Sequence, residues 1–540
     1  MEHRAFYFDP MAYIDMNVSL YERSLAVGRW KVALDQLLQG WAPLRTVPLL
    51  VFAPQSLGHG HAHLYTAAPA MAVFLILLGW MVERGPGSFV LAAAAMLFCC
   101  AVPGLYDPYL GLGAYWLDPP GGFLMGAAIC CLGLSGELKK IPWLVAFGVF
   151  GALAVWARMV TGVYLLVTCA PILMAWMIRL SWQSVPRWRA PLRALAAIAI
   201  PVLVIAGAFY GTRLEKLYNY YAVASYGYKS TLDSLKFTWK ALHEFVTVEY
   251  IWVCVLVLLC GLFHNRYALV SGARDRLPEG LWLATSTFLF LGLSRQIGEA
   301  AHAVTPGVVV MLAGCFWTWR PVSRDPRLEG SLDRVDRESA SRPVLPLALS
   351  GVLILSSMGF GAKGLGDGII AIAKIDDIEI QKKKFFDELA DRMKQLPRDY
   401  IWGVYFESAT QQLRLTNFFR NRFVPQIDRN FEFVDHESYW KANIPGLDAN
   451  GLAKLGAKEM TARVDVALVF SDPNSAWVAW PSDYGYYLNP YSALVAERLS
   501  ATAQNPDQWR KLFEIKTPLY GSVSGFLNLS RRPDHPGGRP

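Results

Sequence analysis

Ten stretches of this chain are apolar over about the length a helix needs to cross a bilayer, and no other feature limits its fold as strongly. They run approximately over residues 63–83, 87–105, 118–135, 142–157, 159–178, 193–211, 248–264, 280–294, 300–319 and 343–363. Inside hydrocarbon each backbone amide must be satisfied within its own segment, so the stretches are expected to be helices of a polytopic α-helical membrane protein. A mean hydropathy of +0.28, with 54% hydrophobic and 17% charged residues in 540, excludes a soluble globule. Trp, Tyr and Phe are abundant, as two interfacial aromatic belts require. The net charge of +8 speaks for no nucleic acid, because much of it lies in short loops between apolar runs, where it sets orientation. All eight cysteines fall inside apolar runs, form neither a disulfide framework nor a zinc pattern, and read as small core residues.

Orientation follows from those loops. Lys139 and Lys140 follow the third stretch, and Arg179, Arg187, Arg189 and Arg193 separate the fifth from the sixth. Arg266, Arg274 and Arg276 precede the eighth, and six arginines from Arg320 to Arg342 precede the tenth. The alternate loops are poor in Lys and Arg, so the basic set is expected to be cytoplasmic. Arg158 breaks the fourth and fifth stretches, and Arg295 to Glu299 the eighth and ninth, so each pair reads as a tight helical hairpin. An even number of spans puts both ends outside. Residues 1–62 carry five basic and five acidic residues and no signal pattern, so a first transmembrane helix is expected upstream of Met1.

The domain reading is a first external loop with interfacial helices over 1–62, a transmembrane domain of about ten helices over 63–363, an external C-terminal domain over 364–530 and a disordered tail over 531–540. Helical periodicity over Ile375 to Leu396, buried strands at Tyr400 to Phe406 and Val464 to Phe470, and a hairpin from Lys511 to Leu529 predict an α/β or α+β arrangement for the external domain. Asn17-Val18-Ser19 and Asn528-Leu529-Ser530 match the glycosylation acceptor pattern.

Three external groups of residues suit chemistry. Asp9 and Asp15 stand in Asp9-Pro10-Met11-Ala12-Tyr13-Ile14-Asp15, where a carboxylate near apolar surface is a candidate general base. Asp9 before Pro10 equally suits a helix N-cap. Asp107 and Asp118, each before a proline, form a second acidic group that also suits capping or, through oxygen ligands, a divalent metal cation. Arg158, Arg295 and His302, with Arg213 and Lys216, are cations on the same side, fitted to a lipid phosphate or to snorkelling at the interface. The tyrosines of Tyr218 to Tyr228 suit an interfacial cover or an aromatic belt.

The membrane part, residues 5–320, resembles the GT-C superfamily of membrane glycosyltransferases, of the protein O-mannosyltransferase and aminoarabinose transferase type. Asp9-Pro10-Met11-Ala12-Tyr13 is similar to the family's Asp-Glu-x-x-Tyr in the first external loop, with Pro10 in place of the second acid. Gly28-Arg29-Trp30 resembles its Gly-x-Trp turn, Pro43 to Pro54 its proline-containing segment, Arg158 to Gly162 its helix-opening basic residue, and Arg295 to Pro306 its late segment. The resemblance implies an enzyme of the cell envelope, set in a bacterial inner membrane with a periplasmic or extracellular C-terminal domain. Its reaction moves a sugar from a polyprenyl-phosphate donor to an acceptor hydroxyl of a glycan, lipid or protein. Asp9 or Asp15 would be the base, and Arg158, Arg295 and His302 would stabilise the departing phosphate. A transporter or flippase of a lipid-linked saccharide, or a structural membrane subunit, would use the same apolar architecture without a base beside the phosphate.

Overall fold

The computed structural model describes residues 8–39, 43–58, 64–85, 88–106, 112, 118–183, 186, 188–211, 243, 245–270, 277–293, 297–319, 344–397, 399–406, 430–432, 462–470, 501, 505–517 and 521–531. The chain forms two compact units, one of residues 17–371 and one of residues 1–16 with 372–540.

Every one of the ten apolar stretches lies on a helix. After α1 (Phe8–Val27), α2 (Arg29–Gln39) and α3 (Pro43–Phe52), they are α4 (Leu64–Glu83), α5 (Phe89–Cys100), α6 (Asp118–Leu134), α7 (Ile141–Ala157), α8 (Val160–Gln183), α9 (Arg189–Val202), α10 (Val248–Val270), α11 (Leu277–Leu293), α12 (Ile297–Trp317) and α13 (Val344–Lys394). Among the described residues four segments are by themselves long and apolar enough to cross a membrane: Leu64–Glu83, Val160–Gln183, Arg189–Gly207 and Val344–Ile370. The stretch at 87–105 is shorter as a helix than its hydropathy implies. Pro103 lacks an amide hydrogen and disfavours the helical conformation at Val102, so α5 stops at Cys100 and a 3-10 turn, Pro103–Tyr106, takes over. The eight cysteines are free thiols, six of them buried.

α6 is the axis of the larger unit. It is buried from Pro119 to Ser135 and packs against α4, α7 and α12, which only small residues allow at backbone distance. A Cβ on Gly121 would lie 3.0 Å from Thr161 Cγ2, and one on Gly122 would lie 3.0 Å from both Cα and N of Pro306. The first turn of α6 is thereby wedged between the α7–α8 junction and the middle of α12. The apolar part of α13 seats on the 3-10 turn, where Gly364 would meet Pro103 Cα at 3.1 Å and Tyr106 donates its hydroxyl to the Cys100 carbonyl at 2.8 Å.

In the smaller unit five strands form one mixed sheet, in order β2-β1-β3-β5-β4: β1 (Ile401–Phe406), β2 (Asn430–Glu432), β3 (Val466–Phe470), β4 (Trp509–Thr517) and β5 (Gly521–Asn528). β1 runs parallel to β2 and β3, with Val404 opposite Leu468, while β3–β5 and β5–β4 are antiparallel. Asp465 ties three strands together. Its carboxylate accepts from the Ile401 amide (2.9 Å) and Arg531 Nε (2.8 Å), and its carbonyl accepts from the Asn528 amide (2.8 Å). The expected strands at 400–406 and 464–470 and the 511–529 hairpin are present. Both glycosylation patterns are structural instead: Asn17 is 0% exposed, and Asn528, 1% exposed, donates Nδ2 to the Val464 carbonyl at 2.9 Å.

Candidate active site

The break between α7 and α8 is two residues long and is held from both sides. Arg158 caps α7 in an extended conformation (φ −153°, ψ 123°), and its amide donates to the Ala154 carbonyl at 2.9 Å. Its own carbonyl accepts from the Thr161 hydroxyl at 2.6 Å and the Thr161 amide at 3.1 Å. This anchors the half-buried arginine at the end of one apolar helix and the start of the next. Thr161 also touches the first turn of α6 through Gly121, so the N-terminal ends of α6 and α8 lie side by side. The N-terminus of α8 and the guanidinium bring positive charge beside the first turn of α6, whose Asp118 is of opposite sign and whose Pro119 and Pro120 carry no N–H.

Two further members, Asp118 and His302, sit on helices that meet this wedge. Asp118 is the first residue of α6, three residues before Gly121, and His302 stands on α12 one turn before Pro306, the residue against which Gly122 packs. For these two the backbone is described and the side chains are not. The same holds for Asp9 and Asp15, which share α1 about 9 Å apart along its axis. Asp107, Arg295, Arg213, Lys216 and the tyrosines from 218 to 228 lie outside the described residues. Asp9 is also not an N-cap, because α1 begins at Phe8.

One cation comes to light only in three dimensions. Arg45, on α3, is 3% exposed beside the fully buried Thr46, and α3 packs against α7, the helix that ends at Arg158. Its signal in the sequence was a lone guanidinium in Pro43 to Leu50, an otherwise apolar run. Beneath the wedge, Phe74, Phe123, Phe245, Thr305 and Val309 line a void of about 10 Å³. That holds at most one water and is a packing gap, far below the few hundred Å³ of a substrate pocket. Among the described residues no three His, Cys, Asp or Glu side chains cluster in a way that could hold a metal ion.

The larger unit is a bundle of mostly apolar helices, and the smaller one carries a small mixed sheet. The chain is similar to the crystal structure of ArnT from Cupriavidus metallidurans in the apo state, with a TM-score of 0.53 and 15% identity over 97% of this chain and 94% of that one. It is similar also to the crystal structure of ArnT from the same organism bound to undecaprenyl phosphate, with a TM-score of 0.51 and 14% identity over 100% and 96%. No protein-family model and no curated protein sequence matches the chain. The fold is therefore that of these ArnT structures, with apolar helices fit to cross a membrane.

Proposed function

We propose that the chain is a glycosyltransferase of a bacterial inner membrane, moving a sugar from a polyprenyl-phosphate donor to an acceptor hydroxyl at the external face. The observation that carries this reading is the likeness, along nearly the whole chain, to ArnT, one of whose structures holds undecaprenyl phosphate. Residues 63–363 are the transmembrane domain, 1–62 an external loop covering the donor, and 364–530 a periplasmic domain that shapes access for the acceptor.

Asp9, or Asp15, takes the proton of the acceptor hydroxyl as its oxygen attacks the anomeric carbon. The bond from that carbon to the phosphate oxygen breaks with its electron pair going to the phosphate, and polyprenyl phosphate leaves as an anion. Such a leaving group needs charge stabilisation and no general acid. Arg158, Arg295 and His302 supply it, Arg45 reinforces it, and the N-terminus of α8 adds its partial charge. Asp107 and Asp118 form a second acidic group. A divalent cation held there would make transfer fall on chelation and recover with Mg²⁺ or Mn²⁺; unchanged activity would remove the metal.

The test uses the full chain in proteoliposomes with radiolabelled polyprenyl-phosphate sugars. The parent transfers or releases sugar, and Asp9→Asn or Asp15→Asn lowers the rate about 10²- to 10⁴-fold while remaining monodisperse. Full activity in both variants would eliminate the base.

A further inference from the structure

At the end of the helical unit that carries the basic loops, α8 and the start of α9 leave a groove of about 440 Å³, lined by Met177, Ser181, Trp188, Pro191, Leu192 and Leu195. The four residues at the start of α9 recur at i, i+3, i+4 and i+7, so they share one face of the helix, and Arg189 and Arg193 share the adjoining one. Trp188 is 61% and Leu192 54% exposed, and the Arg189 guanidinium lies 5.8 Å from the Trp188 ring. The opposite face, at Ala194, is buried, so α9 turns its inner side to the bundle and its groove side outward.

The charge around this groove has one sign. From Leu138 to Leu214 the sequence contains no Asp or Glu. Glu137 is drawn to Arg179 at 3.7 Å. Glu279, on α11 packed against α8, accepts the indole N–H groups of the buried Trp176 (2.5 Å) and Trp317 (3.1 Å) and so faces inward. Elsewhere on the helix ends assigned to this side, Trp80 stacks edge-on against Trp143 at 5.0 Å with Arg84 4.6 Å from the Trp80 ring, the composition of a membrane interface.

We infer that this groove is a binding site for an acidic glycerophospholipid of the cytoplasmic leaflet, with an acyl chain along Met177, Leu192 and Leu195 and the phosphate held by Arg189 and Arg193. The apolar stripe sets the depth of the chain, the Trp188 ring sits at the level of the ester groups, and the guanidinium forks match phosphate oxygens. A zwitterionic lipid offers the same chain but brings a second, positive charge to the arginines, so the site discriminates by headgroup.

Quenching of tryptophan fluorescence tests this, in nanodiscs of phosphatidylcholine doped with phosphatidylglycerol or phosphatidylcholine brominated on the acyl chains. The full-length chain should be quenched more by brominated phosphatidylglycerol than by the brominated zwitterionic lipid at equal mole fraction. Trp188→Phe should remove the excess, and Arg189→Gln with Arg193→Gln should weaken the headgroup preference on the order of tenfold. If the glutamine pair is not monodisperse, raising the ionic strength severalfold on the parent screens the same contact and should abolish the excess. Equal quenching by the two lipids, an excess that survives both the paired substitution and salt, or one retained in Trp188→Phe, overturns the assignment.

Discussion

Arg158 is held by hydrogen bonds of its own backbone on both sides, and these bonds do not depend on the identity of its side chain. Arg158→Ala should therefore leave the fold intact, raise KM for the donor and lower kcat, the two together by about 10²-fold or more, because the charge acts on the bound phosphate and on the leaving group alike. Arg158→Lys keeps the charge but loses the planar fork, and should fall between alanine and the parent in steady-state kinetics. Gly122 behaves in the opposite way. A methyl group there would press on the Pro306 backbone at 3.0 Å, and because backbone cannot swing aside, Gly122→Ala should destabilise the protein by about 1–3 kcal/mol in detergent unfolding. Gly359→Ala on α13, where nothing lies within 4 Å, is the control and should be neutral or stabilising by up to about 1 kcal/mol. Arg158 was legible in the sequence because a cation interrupting two apolar runs is costly unless it has a task. Arg45 was not singled out, since its burial is set by α2 and α7 packing around α3, a tertiary event.

Elements were legible where hydropathy is long-range and illegible where a few residues decide. The ten apolar stretches and the hairpin at 511–529 carry periodic or continuous patterns over many residues, and each has its element. β2 is three residues, Asn430–Glu432, too short to carry a period, and it exists because β1 offers it a free edge to pair with in parallel. The Gly121-Gly122 pair after Asp118-Pro119-Pro120 serves close approach to two other helices, which local sequence does not encode. The sheet's dependence on Asp465 is likewise nonlocal, its partners lying 64 and 66 residues away. Asp465→Ala removes one backbone and one guanidinium bond from a mostly buried carboxylate. It should cost about 1.5–3 kcal/mol, seen as a lower unfolding midpoint and faster proteolysis of the C-terminal unit, with the helical unit unaffected. An unchanged midpoint would mean that Arg531 and Ile401 find other partners.

For the molecule as a whole, orientation decides whether the proposed chemistry can work at all. By the positive-inside rule the six arginines from Arg320 to Arg342 predict a cytoplasmic loop, so a reporter near residue 330 should report cytoplasm and one fused after residue 363 should report the outside. The reverse result would move Arg158 and both acidic groups to the face where no external acceptor is met. That the apolar stretches are helices and that the C-terminal part holds strands and a hairpin could be read from pattern alone, but the order in which α4, α6, α7 and α12 pack could not, because it is set by small residues meeting across the chain. The likeness to ArnT gives the fold, and the reaction stands or falls on bond breaking. Its most direct measurement is the stoichiometry of free polyprenyl phosphate formed per sugar leaving the donor in proteoliposomes of the parent chain: the account predicts one for one, and intact sugar-lipid appearing in the opposite leaflet with no free polyprenyl phosphate would contradict it.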